Sequence, residues 1–171
     1  VRYHRLGTPV ADDLVIFEEA DESFFVDIGQ TQSDAWILIS AADHVTSESW
    51  LIPEDAPETA PRLVQPRRPG REYHLDHREG WFYALDNGEH KNNALKRFRE
   101  DQLDGPWETL LEGCDRHYLT DLLCLKDWVV LEECIDGLDQ VRVLAEGEVG
   151  AEAHYIAFPE ATYSAGIGTN S

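Results

Sequence analysis

Trp36-Ile37-Leu38-Ile39, Trp81-Phe82-Tyr83-Ala84 and Trp128-Val129-Val130-Leu131 are three apolar runs, each opened by a tryptophan. The tryptophans stand 45 and 47 residues apart. Before each run lies a strand-like stretch: FFVDI from Phe24, EYHLD from Glu72, YLTDLL from Tyr118. After each comes another: SESWLI from Ser47, NNALKRF from Asn92, DQVRVL from Asp139. A fourth follows: RLVQ from Arg62, WETLL from Trp107, HYIAF from His154. Four short strands in roughly 46 residues is the size of one β-propeller blade. Consecutive apolar positions, as in WILI and WVVL, suit strands covered on both faces. Stacked blades supply that cover, because one four-stranded sheet cannot bury both its faces alone. A β-sandwich with accidentally even strand spacing is the competing fold.

This period divides the chain into about three complete four-stranded antiparallel blades with partial blades at both ends. The expected blades span residues 23–65, 71–111 and 117–158. Residues 1–19 would end an earlier blade, and residues 162–171 would begin a later one. Individual strands are expected near 14–18, 23–28, 35–40, 49–52, 72–76, 81–85, 107–111, 128–132 and 141–144. Residues 91–101 lack an apolar stripe at helical spacing and are read as a strand. Asn87-Gly88 and Asp136-Gly137 each suggest a tight type I′ hairpin. The three tryptophans are expected to anchor packing between blades. A closed propeller usually has 4–8 blades, so the chain is expected to be a piece of a longer polypeptide.

The 171 residues carry 14 Lys and Arg against 34 Asp and Glu, a net charge of −20. Such a chain is a poor partner for nucleic acid, whose phosphates need Lys and Arg. It is equally unsuited to anionic membranes. At 42% hydrophobic residues it can build a core. Its apolar runs are too short to span a bilayer, and VRYHRLGTP at the N-terminus has no apolar signal region. The three cysteines, Cys114, Cys124 and Cys134, form no metal-ligand spacing. Their odd, low count fits buried thiols in a reducing, cytoplasmic setting.

The segment Tyr3-His4-Arg5-Leu6-Gly7-Thr8-Pro9, followed by Asp13-Leu14-Val15-Ile16-Phe17-Glu18-Glu19, resembles the oligopeptidase B (protease II) branch of the prolyl oligopeptidase family of serine peptidases. Weaker matches follow in the family's order: Thr46-Ser47-Glu48, Glu72-Tyr73, Asp76-His77, Phe82-Tyr83, Lys91-Asn92 and Ile156-Ala157-Phe158-Pro159-Glu160. The resemblance implies part of a seven-bladed propeller attached to an α/β-hydrolase domain. That domain would cut short peptides after Arg or Lys through a Ser-Asp-His triad, and the propeller would filter what reaches it. The alternatives are a propeller of a prolyl-specific relative, or a free-standing scaffold for a protein partner. The hydrolase domain is absent from this chain, so no catalytic residue is assigned to it. A nucleophile elbow reads G-x-S-x-G; the nearest stretch, Tyr163-Ser164-Ala165-Gly166-Ile167-Gly168, lacks the first glycine. The chain alone is expected to be inactive, to need no metal or cofactor, and to self-associate through open blade faces. Its partners would be short basic peptides and the hydrolase domain of the same polypeptide.

Other patterns carry less. His74 and His77 lie three apart on a strand and point to opposite faces. Asp86-Asn87-Gly88-Glu89 and the run from Glu132 to Gly137 miss the calcium-loop spacing and read as turns. Arg62, Arg67, Arg68 and Arg71 form the one basic stretch, read as a solvated loop pairing with carboxylates. Residues 12–22 hold six carboxylates (Asp12, Asp13, Glu18, Glu19, Asp21, Glu22), a candidate surface for attracting cationic peptides.

Overall fold

The computed structural model describes residues 1–145, 154–160 and 163–168. Residues 146–153 of the expected third blade, and 162 and 169–171 of the expected later one, lie outside the described residues. The chain divides into two compact units, residues 1–71 and 72–171. The only helical turn among the described residues is a 3-10 turn, Val10–Asp12. The all-β expectation is met.

The first unit opens with a two-stranded sheet, β1 (Arg2–Tyr3) against β2 (Leu14–Val15). Only two residues of the expected strand 14–18 pair; Ile16 and Phe17 instead donate their amides to the Val1 carbonyl. A four-stranded meander follows: β3 (Phe25–Gln30), β4 (Trp36–Ala42), β5 (Ser47–Pro53) and β6 (Arg62–Gln65). All of β3 is exposed, with Phe25 at 74% and Ile28 at 54%. Ile39, Ala41, Leu51 and Ile52 of the middle strands are buried.

The second unit holds two more meanders. One runs β7 (Tyr73–Arg78), β8 (Trp81–Asp86), β9 (Ala94–Arg99) and β10 (Glu108–Leu111). The other runs β11 (His117–Cys124), β12 (Trp128–Ile135), β13 (Leu138–Ala145) and β14 (His154–Tyr155). Every neighbouring pair is antiparallel and consecutive in sequence. β11 lies on β7 and β8, so the two sheets stack with their first strands closest together. Tyr83, Leu85 and Leu95 meet Leu119, Leu122, Cys124, Val129, Leu131 and Leu144 in one core. Five consecutive residues of β8 are buried: Tyr83 and Leu85 face the stacked sheet, while Phe82 on the other face packs on His77 and Phe98.

Two turn expectations divide. Asp136 (φ 52°) and Gly137 (φ 84°) form the tight turn between the paired residues Ile135 and Leu138. Asn87-Gly88 does not. Residues 87–93 form a longer loop, and Asn87 fastens it to the start of the sheet. Its amide donates to the Glu72 carbonyl at 3.1 Å, and its side-chain oxygen accepts the Glu72 amide at 2.8 Å. The two-residue turn of that sheet is instead Glu79 (φ 46°) and Gly80 (φ 80°), between Arg78 and Trp81. The strand within residues 91–101 begins at Ala94, after Asn93 at φ 62°.

The tryptophan expectation holds in part: Trp81 packs against the core shared by the two stacked sheets, but none of the three is fully buried. Trp128 is 45% exposed, and Trp36 and Trp81 are only half-buried. Each opens its strand at the sheet rim, and the Trp81 ring lies under the Arg97 and Arg99 guanidinium groups at 4.4 and 4.9 Å. The residues just after them fill the interior: Ile39, Phe82 and Leu131 are each fully buried.

Candidate functional site

Four of the six carboxylates of residues 12–22, Asp12 and Asp13 excepted, border a cleft in the first unit. Its volume is about 340 Å³, with Val15, Phe17, Phe24 and Val26 as its apolar lining and Glu18, Glu19, Asp21 and Glu22 around them. Two of these four groups are committed to structure. Glu19 pairs with Arg67, which also donates from Nε to Glu48 Oε1 at 2.5 Å. The Arg67 side-chain hydrogen bond, helped by the Asp21 amide, holds the Glu19 carboxyl below its ordinary pKa. Asp21 accepts the Ser23 hydroxyl at 2.7 Å and the Ser23 amide at 3.0 Å, which lowers its pKa likewise. Glu18 and Glu22 remain exposed. Arg2 and Val1, whose ammonium donates to the Phe17 carbonyl, complete the lining; the cleft thus offers two solvated carboxylates beside aromatic rings, and these can receive a cationic side chain with an aliphatic stem.

The arginine stretch behaves differently from a solvated loop. Arg67 packs its guanidinium 3.9 Å over the Phe24 ring while bridging Glu19 and Glu48. Arg71 is 6% exposed. Only Arg62 and Arg68 face solvent. A run of arginines does not reveal which members turn inward: the carboxylates that receive Arg67 are 19 and 48 residues away.

The other sequence candidates resolve into structure. His74 is exposed, 3.8 Å from Asp121, while His77 is buried on the opposite face against Phe82. Asp86 is buried and holds Lys96 at 3.0 Å, with Glu89 at the same distance. Burial opposes the Lys96 charge, but hydrogen bonds to these two carboxylates outweigh it and raise the pKa. Asp136 binds Arg116 at 2.9 Å. Ser164 donates its hydroxyl to Asp139 at 2.9 Å. The described residues bring no three potential ligands together for a metal. All three cysteines are free, and Cys114 is exposed, against the expectation of three buried thiols. Burial pushes the Cys124 thiol pKa well up, with the Asp76 carboxylate adding to it. No helix among the described residues is long and apolar enough to cross a membrane.

Two polar features escaped the sequence reading. Asp76 is buried and accepts the Cys124 amide of the neighbouring sheet at 2.7 Å. Glu133, fully buried, receives a forked pair of hydrogen bonds from Arg142 at 2.6 and 2.8 Å. For the Glu133–Arg142 pair the available signal was charge inside two apolar runs, two glutamates in VVLEECI and one arginine in VRVL.

His77 gives the fold a dependence on pH. Burial lowers its pKa, outweighing the attraction of Glu100 at 3.0 Å, which is partly screened by solvent. An unfolded imidazole titrates near 6.5. Below that value the unfolded chain binds the proton more tightly than the folded one. His77 therefore costs no stability at pH 7.5 and an increasing amount as the pH falls below about 6.5. The melting temperature is expected to drop between pH 7.5 and 5.5, and to drop less in His77→Gln. Equal slopes for the two proteins in calorimetry would refute this.

Three four-stranded antiparallel meanders, two of them stacked in one unit, define the chain as part of a β-propeller. Residues 1–168 match the prolyl oligopeptidase N-terminal β-propeller domain, and the chain belongs to that family. It is 30% identical over 164 residues to Protease 2 of Moraxella lacunata, a match covering 96% of this chain and 23% of that protein. Oligopeptidase B from Trypanosoma brucei, in its closed form with covalently bound antipain, superposes with a TM-score of 0.84 at 22% identity. Oligopeptidase B from Leishmania major does so with a TM-score of 0.85 at 16% identity. Each of these matches covers 94% of this chain and 24% of the neighbour, and they establish the fold. The chain spans about a quarter of the length of its relatives.

Proposed function

We propose that this chain is a non-catalytic part of the propeller of a serine oligopeptidase that hydrolyses short peptides after Arg or Lys. In this reading the propeller limits access to an α/β-hydrolase domain carried elsewhere in the same polypeptide. The match of residues 1–168 to the family's propeller domain carries the proposal. The acidic cleft adds to it, because Glu18 and Glu22 would raise the local concentration of cationic peptides. The exposed strand β3 is the face on which an earlier blade would stack.

The test uses the full-length polypeptide and this chain side by side. The full-length protein is expected to be labelled by an active-site serine reagent and to cleave after Arg in preference to Pro. The isolated chain is expected to do neither. Absence of labelling would favour a free-standing scaffold, and cleavage after Pro a prolyl-specific enzyme; either would overturn the proposal. Within the active protein, Glu18→Gln with Glu22→Gln is expected to lower kcat/KM for Arg peptides about threefold at low salt and to flatten its salt dependence. An unchanged salt slope would remove the cleft from the mechanism.

A further inference from the structure

Residues 163–168 pair with no strand, yet they are held firmly against the sheet of β11–β14. The Ile167 amide donates to Glu132, and the Ala165 amide donates to Asp139 at 3.2 Å. Gly166 passes so close that a Cβ there would stand 3.0 Å from Glu132 Oε1. The segment is thus fastened by carboxylates that accept alternate backbone N–H groups.

A related fastening, with one carboxylate and one backbone carbonyl as acceptors, occurs one sheet earlier. There β11 is held on the β7–β10 sheet by the Leu119 amide donating to the Asn92 carbonyl at 3.1 Å and by the Cys124 amide donating to Asp76 Oδ2 at 2.7 Å. The parts correspond. Asn92, two residues before β9, accepts the Leu119 amide while the Asn93 side chain donates to the Leu119 carbonyl at 2.7 Å, and Asp139 stands at the start of β13. Asp76 pairs across the sheet with Tyr83, and Asp121 with Glu132. Asp76 and Asp121 each accept, through Oδ1, the amide of the next residue at 2.8 Å. They differ at the other oxygen: Asp76 Oδ2 takes the neighbouring sheet's Cys124 amide, while Asp121 Oδ2 accepts no hydrogen bond among the described residues.

Taking residues 163–168 as the start of the later blade expected from the sequence, we propose that Glu132, Asp139 and Asp121 form the socket that fixes its first strand. Glu132 and Asp139 hold the strand's first amides. Asp121 accepts a later backbone N–H of the same strand in the longer polypeptide, as Asp76 does for Cys124. The occupant is a peptide backbone rather than a metal or a cationic side chain, because both filled carboxylates already accept amides. The proposal rests on the propeller reading, and relatives about four times longer than this chain leave ample polypeptide to supply that blade.

Amide hydrogen exchange read by NMR tests the socket on this chain directly. In Glu132→Ala the Ile167 amide is expected to exchange about tenfold faster, and in Asp139→Ala the Ala165 amide likewise, with the β12 and β13 amides unchanged. Glu132→Gln keeps an acceptor oxygen and should retain most of the protection. Should Glu132→Ala disturb β12, Gly166→Ala loosens the same contact from the other side and is expected to release Ile167 with the sheet intact. Unchanged Ile167 exchange in both variants overturns the socket. Asp121→Ala removes the bond to the Leu122 amide in both proteins and is expected to lower the melting temperature of the full-length protein more than that of this chain; equal shifts in the two overturn its part. None of these readouts involves peptide hydrolysis, so failure here is separable from failure of the peptidase assignment.

Discussion

Glu133→Ala is expected to lower the melting temperature of this chain by roughly 10 °C. Glu133 is fully buried, and its two oxygens receive the Arg142 fork at 2.6 and 2.8 Å. His117 Nδ1 stands 3.3 Å from the same carboxylate. Arg142 is 6% exposed, and its guanidinium lies 5.1 Å from the Tyr155 ring centre. Removing the carboxylate would strand a guanidinium in a site that excludes water. Breaking one partner of a buried pair costs about 3–5 kcal/mol, and a chain of this size loses about 2–4 °C per kcal/mol. The double variant Glu133→Leu with Arg142→Leu separates the worth of the pair from the penalty of orphaning it. It is expected to recover more than half of the loss, since apolar replacements of buried pairs are often near neutral. A loss in the double variant equal to that in Glu133→Ala would show that the pair itself stabilises the sheet.

The second large effect concerns adjacent residues. Phe82→Ala is expected to cost about 3–5 kcal/mol, and Trp81→Ala less than half as much. Phe82 is fully buried, and its ring packs 5.2 Å from Phe98 and 4.7 Å from His77. Phe98 in turn stacks on Trp107 at 4.8 Å. Trp81 is the larger side chain, but one side of its ring meets arginines at the rim rather than apolar neighbours. Urea titration of both variants checks the order. A larger loss for Trp81→Ala would return the anchoring role to the tryptophans.

That reversal shows what the residues disclose in advance. The tryptophan period marks the blades because each opens an equivalent strand, so spacing alone reveals the repeat. It does not tell how deep each ring sits. Depth depends on whether the strand's first residue projects past the neighbouring sheet, which is a matter of stacking. The turn at Asp136-Gly137 was legible because both residues tolerate positive φ. Glu79-Gly80 was not, since glutamate rarely occupies that region. Asn87-Gly88 misled because its side chain was spent on the Glu72 amide. The Glu133–Arg142 pair spans two strands at a diagonal, with Arg142 opposite Leu131 and Glu133 opposite Gln140. Such pairs depend on register, which a one-dimensional reading does not fix. The acidic cleft was half legible: residues 12–22 stood out by charge, but only the structure shows Arg67 removing Glu19 from the surface.

The strictly consecutive order of strands in every sheet bears on how the chain reaches this state. Each sheet is completed by its nearest neighbours in sequence, so its hydrogen-bond ladders close short loops and demand little loop-closure entropy. During synthesis a blade can acquire all its partners soon after its last strand leaves the ribosome, without waiting for distant polypeptide. Within the second unit, assembly would then proceed as an addition, the β11–β14 sheet templated by Asp76 on the sheet before it. Strand order thus lets folding follow the direction of translation.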